Sequence, residues 1–268
     1  MKKYYIFFVL IIANLTYAQE VEEVEVMRYY YESKVLVDKS ENVVREGTAI
    51  VDVKEDQSRF MDYASYEKTR WQLTKADNTS KEEIMQKVIS YRPVFSWFVI
   101  TDKNINRFYN KIGRLMNFYK EDRAEIKWDI KADKLKWNNY TVQEATTTYG
   151  GREWTVWFTQ DIQGQVGPYK FNNLPGFVVK AWDTEEQYSF EFLNSRKVNV
   201  IWDVNEVDAY TESSKEKTKK AMSIDANKTF LSDLEGTGIT IGGAGQTYLN
   251  RKKGNHQNPI ERDFNTNI

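Results

Sequence analysis

The sequence predicts a mainly β fold built on one large, twisted antiparallel sheet with two short helices. Aromatic residues make up 15% of the chain, with 8 Trp, 17 Tyr and 14 Phe, and aromatic and β-branched residues favour strands. Short apolar runs alternate with polar residues and are separated by turn residues, which is typical of a meander. A sheet of roughly ten strands tends to curl, so we expect a half-barrel rather than a flat layer.

The first 18 residues have the pattern of a secretory signal. Lys2 and Lys3 precede an apolar stretch at residues 4–13, and Thr16 and Ala18 provide small residues before a cleavage site. That stretch is too short to span a bilayer. We therefore expect an exported protein with no transmembrane segment after cleavage. The chain has no cysteine, which excludes disulfides, thiol catalysis, thiolate metal sites and a lipid anchor on cysteine.

The first half of the mature chain combines strands with one helix. Ser80 and Glu83 have the spacing of a capping box, apolar residues follow at helical intervals, and Arg92-Pro93 ends the run. This predicts a helix over 81–90 that packs on the core, because it has only about three turns. The strands predicted on either side cover 21–35, 47–53, 58–68, 94–101, 105–112, 114–121 and 124–131.

The second half continues the strands and then changes character. Trp154, Val156 and Phe158 fall on one face of a strand at 152–159, and Trp157 falls on the other. The charged segment 207–225 predicts a helix that starts between 211 and 214. The remaining strands are predicted at 140–150, 176–182, 187–193 and 196–204.

The loop that leads into the strand at 176–182 has two of the four prolines of the chain. Gly167-Pro168 and Leu174-Pro175-Gly176 are turn sequences, in which a glycine after proline supplies a positive φ. One interpretation is a tightly specified connection. The other is a surface that presents Tyr169, Lys170, Phe171 and Leu174 to a partner.

The run GPYKFNNLPGFVVKAWD resembles the signature of the GLPGLI family of exported bacterial proteins. Asparagine replaces the first glycine of the motif at 173–178, and Phe-Val replaces Leu-Ile. Trp128 and the closing Asn258-Pro259-Ile260-Glu261 also follow the family pattern. The resemblance implies a periplasmic or secreted protein of a Gram-negative bacterium and carries over no known activity. The motif residues, of unknown role, are Gly167, Pro168, Lys170, Phe171, Asn173, Leu174, Pro175 and Gly176.

These features predict three parts of the chain. A signal peptide covers 1–18, a single β-rich domain covers 19–250, and a polar, partly disordered tail with the NPIE element covers 251–268.

Catalytic patterns are scarce, and the sequence assigns no catalytic, cofactor-binding or metal-binding residue. The only histidine, His256, lies in the predicted polar tail, where a Ser-His-Asp triad is not expected. A net charge of −1 gives no electrostatic reason to expect nucleic acid. The acids considered for glycoside hydrolysis are Asp129, Glu144, Glu153 and Asp161, and spacing does not distinguish them from solvated strand positions.

Two functions therefore stay open. The first is a non-enzymatic binding module for a hydrophobic ligand or an envelope protein, in which an apolar cavity would be lined by such residues as Trp97, Trp128, Trp154 or Trp157. The alternative is a carboxylate-dependent hydrolase of an envelope or extracellular polymer, which needs two acids facing each other across a cleft.

Overall fold

The computed structural model describes residues 23–204, 207–238 and 242–263, so the predicted signal peptide lies outside the described residues. Within these ranges twelve strands form one sheet, which confirms the mainly β prediction. The strands are β1 (Glu23–Asp38), β2 (Val43–Lys54), β3 (Gln57–Asp62), β4 (Phe98–Asp102), β5 (Ile105–Ile112), β6 (Leu115–Asp122), β7 (Asp129–Trp137), β8 (Tyr140–Tyr149), β9 (Arg152–Thr159), β10 (Phe177–Asp183), β11 (Tyr188–Ile201) and β12 (Thr211–Glu212).

The sheet consists of two meanders that meet at its centre. Strands β1 to β6 follow one another outward on one side, and β11 to β7 do so on the other. The two long strands β1 and β11 pair antiparallel between them, from Glu23 opposite Ile201 to Val35 opposite Tyr188. The short β12 runs parallel to β6, so the sheet is mixed rather than purely antiparallel. The outermost described strands, β7 and β12, do not pair, and the sheet is open.

Both faces of the sheet bear an apolar core because successive side chains point to opposite faces. Val51 belongs to the larger core, and its neighbour Ile50 belongs to the smaller one. The larger core extends across both meanders and includes Trp97, Trp154 and three residues of the connection between β9 and β10, Tyr169, Phe171 and Leu174.

Five α-helices accompany the sheet within the described ranges, rather than the two predicted. They are α1 (Tyr63–Thr74), α2 (Lys81–Ser90), α3 (Lys215–Ala226), α4 (Ala244–Leu249) and α5 (Lys253–His256). The predicted helix at 81–90 is confirmed, and Ser80 accepts a hydrogen bond from the backbone N–H of Glu83. The second predicted helix is α3, which Ser214 caps.

Two predictions are wrong, one about a strand and one about the burial of a helix. The segment 58–68 is not one strand, because β3 ends at Asp62 and α1 begins at the next residue. The side chain of Asp62 caps this helix by accepting a hydrogen bond from the backbone N–H of Ser65. Helix α2 was expected to pack on the core, but none of its residues is buried. Its apolar residues Met85 and Ile89 are 65% and 67% exposed.

Strand boundaries differ from prediction at several places, for example at β4, which starts at Phe98 and not at residue 94. The segment 124–131 begins with a short 3-10 turn at Arg123–Glu125, and β7 starts only at Asp129. The segments 187–193 and 196–204 form the single strand β11, because pairing with β1 continues through a bulge near Tyr30. No helix in the described parts of the chain is both long and apolar enough to cross a membrane.

Candidate functional site

The motif loop, residues 160–176, connects β9 to β10 and closes tightly against both. The amide of Val178 donates to the carbonyl of Val166 at 2.9 Å. A Cβ at Gly176 would collide with the carbonyl of Thr159, and one at Gly167 would collide with the carbonyl of Phe171. Neither glycine has a positive φ, whereas Tyr169 does, at 57°. The glycines are therefore needed for close backbone approach and not for the turn conformation that the sequence suggested.

The four side chains of the loop that were considered as a partner surface point into the protein. Tyr169, Lys170, Phe171 and Leu174 are at most 1% exposed, while Pro175 is exposed. The interpretation that these four residues are presented to a partner is therefore wrong. The loop is a tightly specified connection whose side chains complete the larger core.

Two asparagines attach the loop to the segment before β7. Asn173 donates to the carbonyls of Arg123 and Ile126, both at 2.9 Å, and accepts from the indole N–H of Trp128 at 2.6 Å. Asn172 accepts from Arg123 Nε at 2.9 Å. The φ of Asn173 is not positive, so the asparagine at this motif position does not serve a left-handed turn. Its side-chain hydrogen bonds explain the asparagine instead.

Lys170 is the centre of a buried polar cluster. Its ammonium group is 2.5 Å from Glu261 Oε1 and 2.9 Å from Glu121 Oε1. It also donates to the hydroxyls of Tyr119 at 2.7 Å and Tyr149 at 2.8 Å. The side chain of Lys170 is fully buried, and both carboxylates are at most 6% exposed. A buried charge is tolerated only when it is paired and hydrogen-bonded, and this arrangement meets both conditions.

Lys215 on α3 balances the charge of the cluster. It lies 2.8 Å from Glu121 Oε2, so two ammonium groups face two carboxylates. Burial alone would raise the pKa of Glu261, but the charges of Lys170 and Lys215 outweigh it and lower the pKa to about 2. The pKa of Glu121 is also lowered, against the effect of burial, by the same two lysines. Burial and the nearby carboxylates raise the pKa of Tyr119, so its hydroxyl stays protonated and donates to Glu261.

The lowered pKa of Glu261 predicts a loss of stability in acid. The pKa of a glutamate is about 4.3 in the unfolded chain, and that of Glu261 is about 2 in the folded chain. The ionised carboxylate of Glu261 therefore stabilises the fold above about pH 4.3, and this stabilisation is lost as the pH falls towards about 2. The difference corresponds to about 3 kcal/mol. We expect the free energy of unfolding in urea to decrease steeply between about pH 4.5 and 2. A carboxyl ¹³C titration of Glu261 in the folded protein with a midpoint above pH 4 would contradict this assignment.

The segment after α5 is held against the sheet by Arg152, the first residue of β9. Its guanidinium donates to Asn258 Oδ1 and to the carbonyl of Pro259, both at 2.7 Å, and to the carbonyl of Ile260 at 2.9 Å. It pairs with Asp183 at 2.6 Å, and both side chains are at most 1% exposed. Ile260 and Glu261 are buried. The sequence predicted a polar, partly disordered tail over 251–268, of which 264–268 lie outside the described residues. The described part, 251–263, is held against the sheet instead.

His256 is likewise buried rather than part of a polar tail, at 7% exposure. Ser40 and Asp38 lie near it, but both contact the same ring nitrogen, Nδ1, at 2.7 and 2.8 Å. A catalytic triad needs the acid and the nucleophile on different ring nitrogens. The contact therefore fastens the turn after β1 to α5.

A cavity of about 370 Å³ lies between the sheet, α3 and the C-terminal segment. Its apolar wall comes from β1, the segment before β4, β5 and α3. Its polar side contains Glu261 and Lys253, whose ammonium lies 2.9 Å from Asp225 and 2.6 Å from Asp233. The apolar lining residues are Val35, Val37, Val94, Phe95, Trp97, Phe108, Ile112, Met222 and Ile260.

Most of the sequence-predicted ligand and acid residues do not line this cavity, and four of them, Trp128, Asp129, Glu153 and Trp154, line a separate pocket. Of the four tryptophans proposed for a cavity, only Trp97 lines this one. Trp154 is buried in the larger core, and Trp157 packs edge-on against Trp182 at 5.3 Å between ring centroids. Of the acids, Asp129, Glu153 and Asp161 are exposed, and Glu144 accepts a hydrogen bond from Trp157.

The structure brings together residues that the sequence analysis did not connect. Glu121, Tyr119 and Lys215 were read only as strand or helix positions. No cluster of three or more His, Asp or Glu with a metal-binding arrangement occurs among the described residues.

Comparison with known proteins gives a fold likeness and no family. No protein-family model and no curated protein matches the chain. Two solved structures of PNGF-II are similar, each at 14% identity. The P21 form has a TM-score of 0.51 over 77% of this chain and 36% of that one, and the C2 form has 0.49 over 76% and 34%. This chain thus spans about a third of that protein, and the likeness of the P21 form shows the fold alone.

Proposed function

We propose that the chain is an exported member of the GLPGLI family and a non-enzymatic binding module that holds a small hydrophobic ligand in the cavity between the sheet and the C-terminal segment. The motif residue Lys170 and the closing residue Glu261 form a buried ion pair, which supports the view that the two sequence elements of the resemblance act together. Export through the segment 1–18, to the periplasm or beyond, is part of this proposal.

The cavity is the observation that supports binding. Its volume of about 370 Å³ is in the range of small-molecule sites, which are mostly apolar with a few polar groups. Nine apolar side chains line it, including Trp97 and Phe108. Four charged groups line it next to this apolar wall, namely Asp225, Asp233, Lys253 and Glu261, so an apolar molecule that also has a polar group fits the lining.

The arrangement of acidic residues in this cavity is less suited to the alternative function, a carboxylate-dependent hydrolase. Asp225 and Asp233 both line it, but the ammonium group of Lys253 binds both carboxylates and so occupies the place of a scissile bond. Glycoside hydrolysis also needs one carboxyl group that stays protonated as the acid. The lowered pKa of Glu261, the third acid of the cavity, does not suit that role.

Native mass spectrometry of the protein purified from its own envelope tests the proposal. We expect a bound small apolar mass in the wild type. Met222→Trp, which adds an indole to the half-buried lining of the cavity, should remove the bound mass because the space is filled. Met85→Trp on the exposed α2 is the matched control and should keep it.

Two results would overturn the proposal. One is a wild-type protein with no bound mass that also fails to take up apolar compounds offered in solution. The other is a bound mass that Met222→Trp retains in full, which would place the ligand outside this cavity.

A further inference from the structure

A second cavity lies on the opposite side of the sheet, beneath α1. Its volume is about 360 Å³. Its floor is apolar and includes Met61, Phe98 and Tyr210, which belong to the smaller core. Ser96, Trp97 and Lys111 line both cavities, so the two spaces adjoin at these residues and differ in their other walls.

Helix α1 turns a polar stripe towards this second cavity. Ser65, Lys68, Thr69 and Gln72 all line it, and their spacing of three and four residues places them on one face of the helix. A helix lying on a sheet ordinarily directs an apolar stripe inward. On α1 the inward position is held by Tyr66, its only buried residue, which belongs to the smaller core. The half-buried Ser65, Lys68 and Thr69 and the exposed Gln72 border the cavity beside that packed face.

The charge of this lining has one sign. Lys68 and Lys111 line the cavity, and no aspartate or glutamate does. Neither lysine forms an ion pair within the described ranges of the chain, although many other lysines there do, for example Lys170, Lys215 and Lys253. Lys68 is half-buried and Lys111 is exposed.

From this arrangement we propose that the cavity beneath α1 binds an anionic amphiphile, a molecule with a carboxylate or phosphate head and a short apolar chain. The head contacts Lys68 and Lys111, with the hydroxyl and amide groups of the α1 stripe beside it. The chain lies against Met61, Phe98 and Tyr210. The inference does not depend on the ligand of the other cavity.

The test compares octanoate with 1-octanol by NMR shift titration of the full mature chain. We expect octanoate to bind more tightly than 1-octanol. Octyl phosphate should bind as octanoate does if only the charge of the head group matters. The variant Lys68→Gln, at the lysine that lines only this cavity, should raise the Kd for octanoate about threefold, since one partly exposed charge pair is lost. Its Kd for 1-octanol should not change.

Matched variants separate this cavity from the first. Lys87→Gln on α2 removes the same charge from an exposed position and should leave octanoate binding unchanged. Met222→Trp narrows only the first cavity and should also leave it unchanged. Equal affinity for octanoate and 1-octanol, or octanoate binding that Met222→Trp abolishes and the Lys68 variant retains, would overturn the inference.

Discussion

Replacing Lys170 by methionine is expected to lower the free energy of unfolding by about 3–5 kcal/mol. The substitution keeps most of the side-chain volume but leaves Glu261 and Glu121 buried with only Lys215 to compensate them. An uncompensated buried charge costs far more than the pair contributed. Urea unfolding at neutral pH measures the change.

Two further variants test the cause. Lys197→Met removes an exposed lysine that pairs with Glu25 at 2.9 Å, with both side chains more than 60% exposed, and should cost less than about 1 kcal/mol. The double variant Lys170→Met/Glu261→Gln removes the surplus negative charge, so it should be more stable than Lys170→Met alone. If Lys170→Met lowers the free energy of unfolding by no more than Lys197→Met does, the buried cluster around Lys170 does not stabilise the fold.

Much of the sheet could be predicted because the residues that determine each strand are neighbours in the sequence. Strand β5 lies at the predicted residues Ile105–Ile112, and β9 begins at Arg152 and ends at Thr159 as predicted. Apolar and polar residues alternate in these two segments, and turn residues end each segment on both sides. The position of helix α2 was predicted equally well from its N-cap, Ser80. Its burial was predicted wrongly, because an apolar stripe on a helix does not show whether another element packs against it.

The cluster could not be predicted because its members are far apart in the sequence. Lys170 and Glu261 are separated by 91 residues, and the ion pair depends on the C-terminal segment folding back over the sheet. The only local signal was a lysine within the apolar run of the motif loop. Reading 251–268 as a polar tail followed from composition, and composition does not show that Arg152 satisfies the carbonyls of Pro259 and Ile260.

Arg152→Lys is expected to release the C-terminal segment while keeping the charge at its position. A lysine can still pair with Asp183, but one ammonium group cannot reproduce the planar set of donors that reaches Asn258, Pro259 and Ile260. We expect a loss of roughly 3 kcal/mol in the free energy of unfolding, because several hydrogen bonds to a charged group are broken. Hydrogen exchange of residues 257–263 should accelerate more than that of β1 or β11.

The matched control is Arg262→Lys, at a partly exposed arginine that pairs with Glu185 on the surface. It should change the stability by less than about 1 kcal/mol and leave the exchange of Ile260 unchanged. Because the segment provides one wall of the first cavity, Arg152→Lys should also weaken retention of the apolar ligand. Exchange in 257–263 that stays as slow as in the wild type would show that the ion pair of Glu261 with Lys170 holds the segment without Arg152.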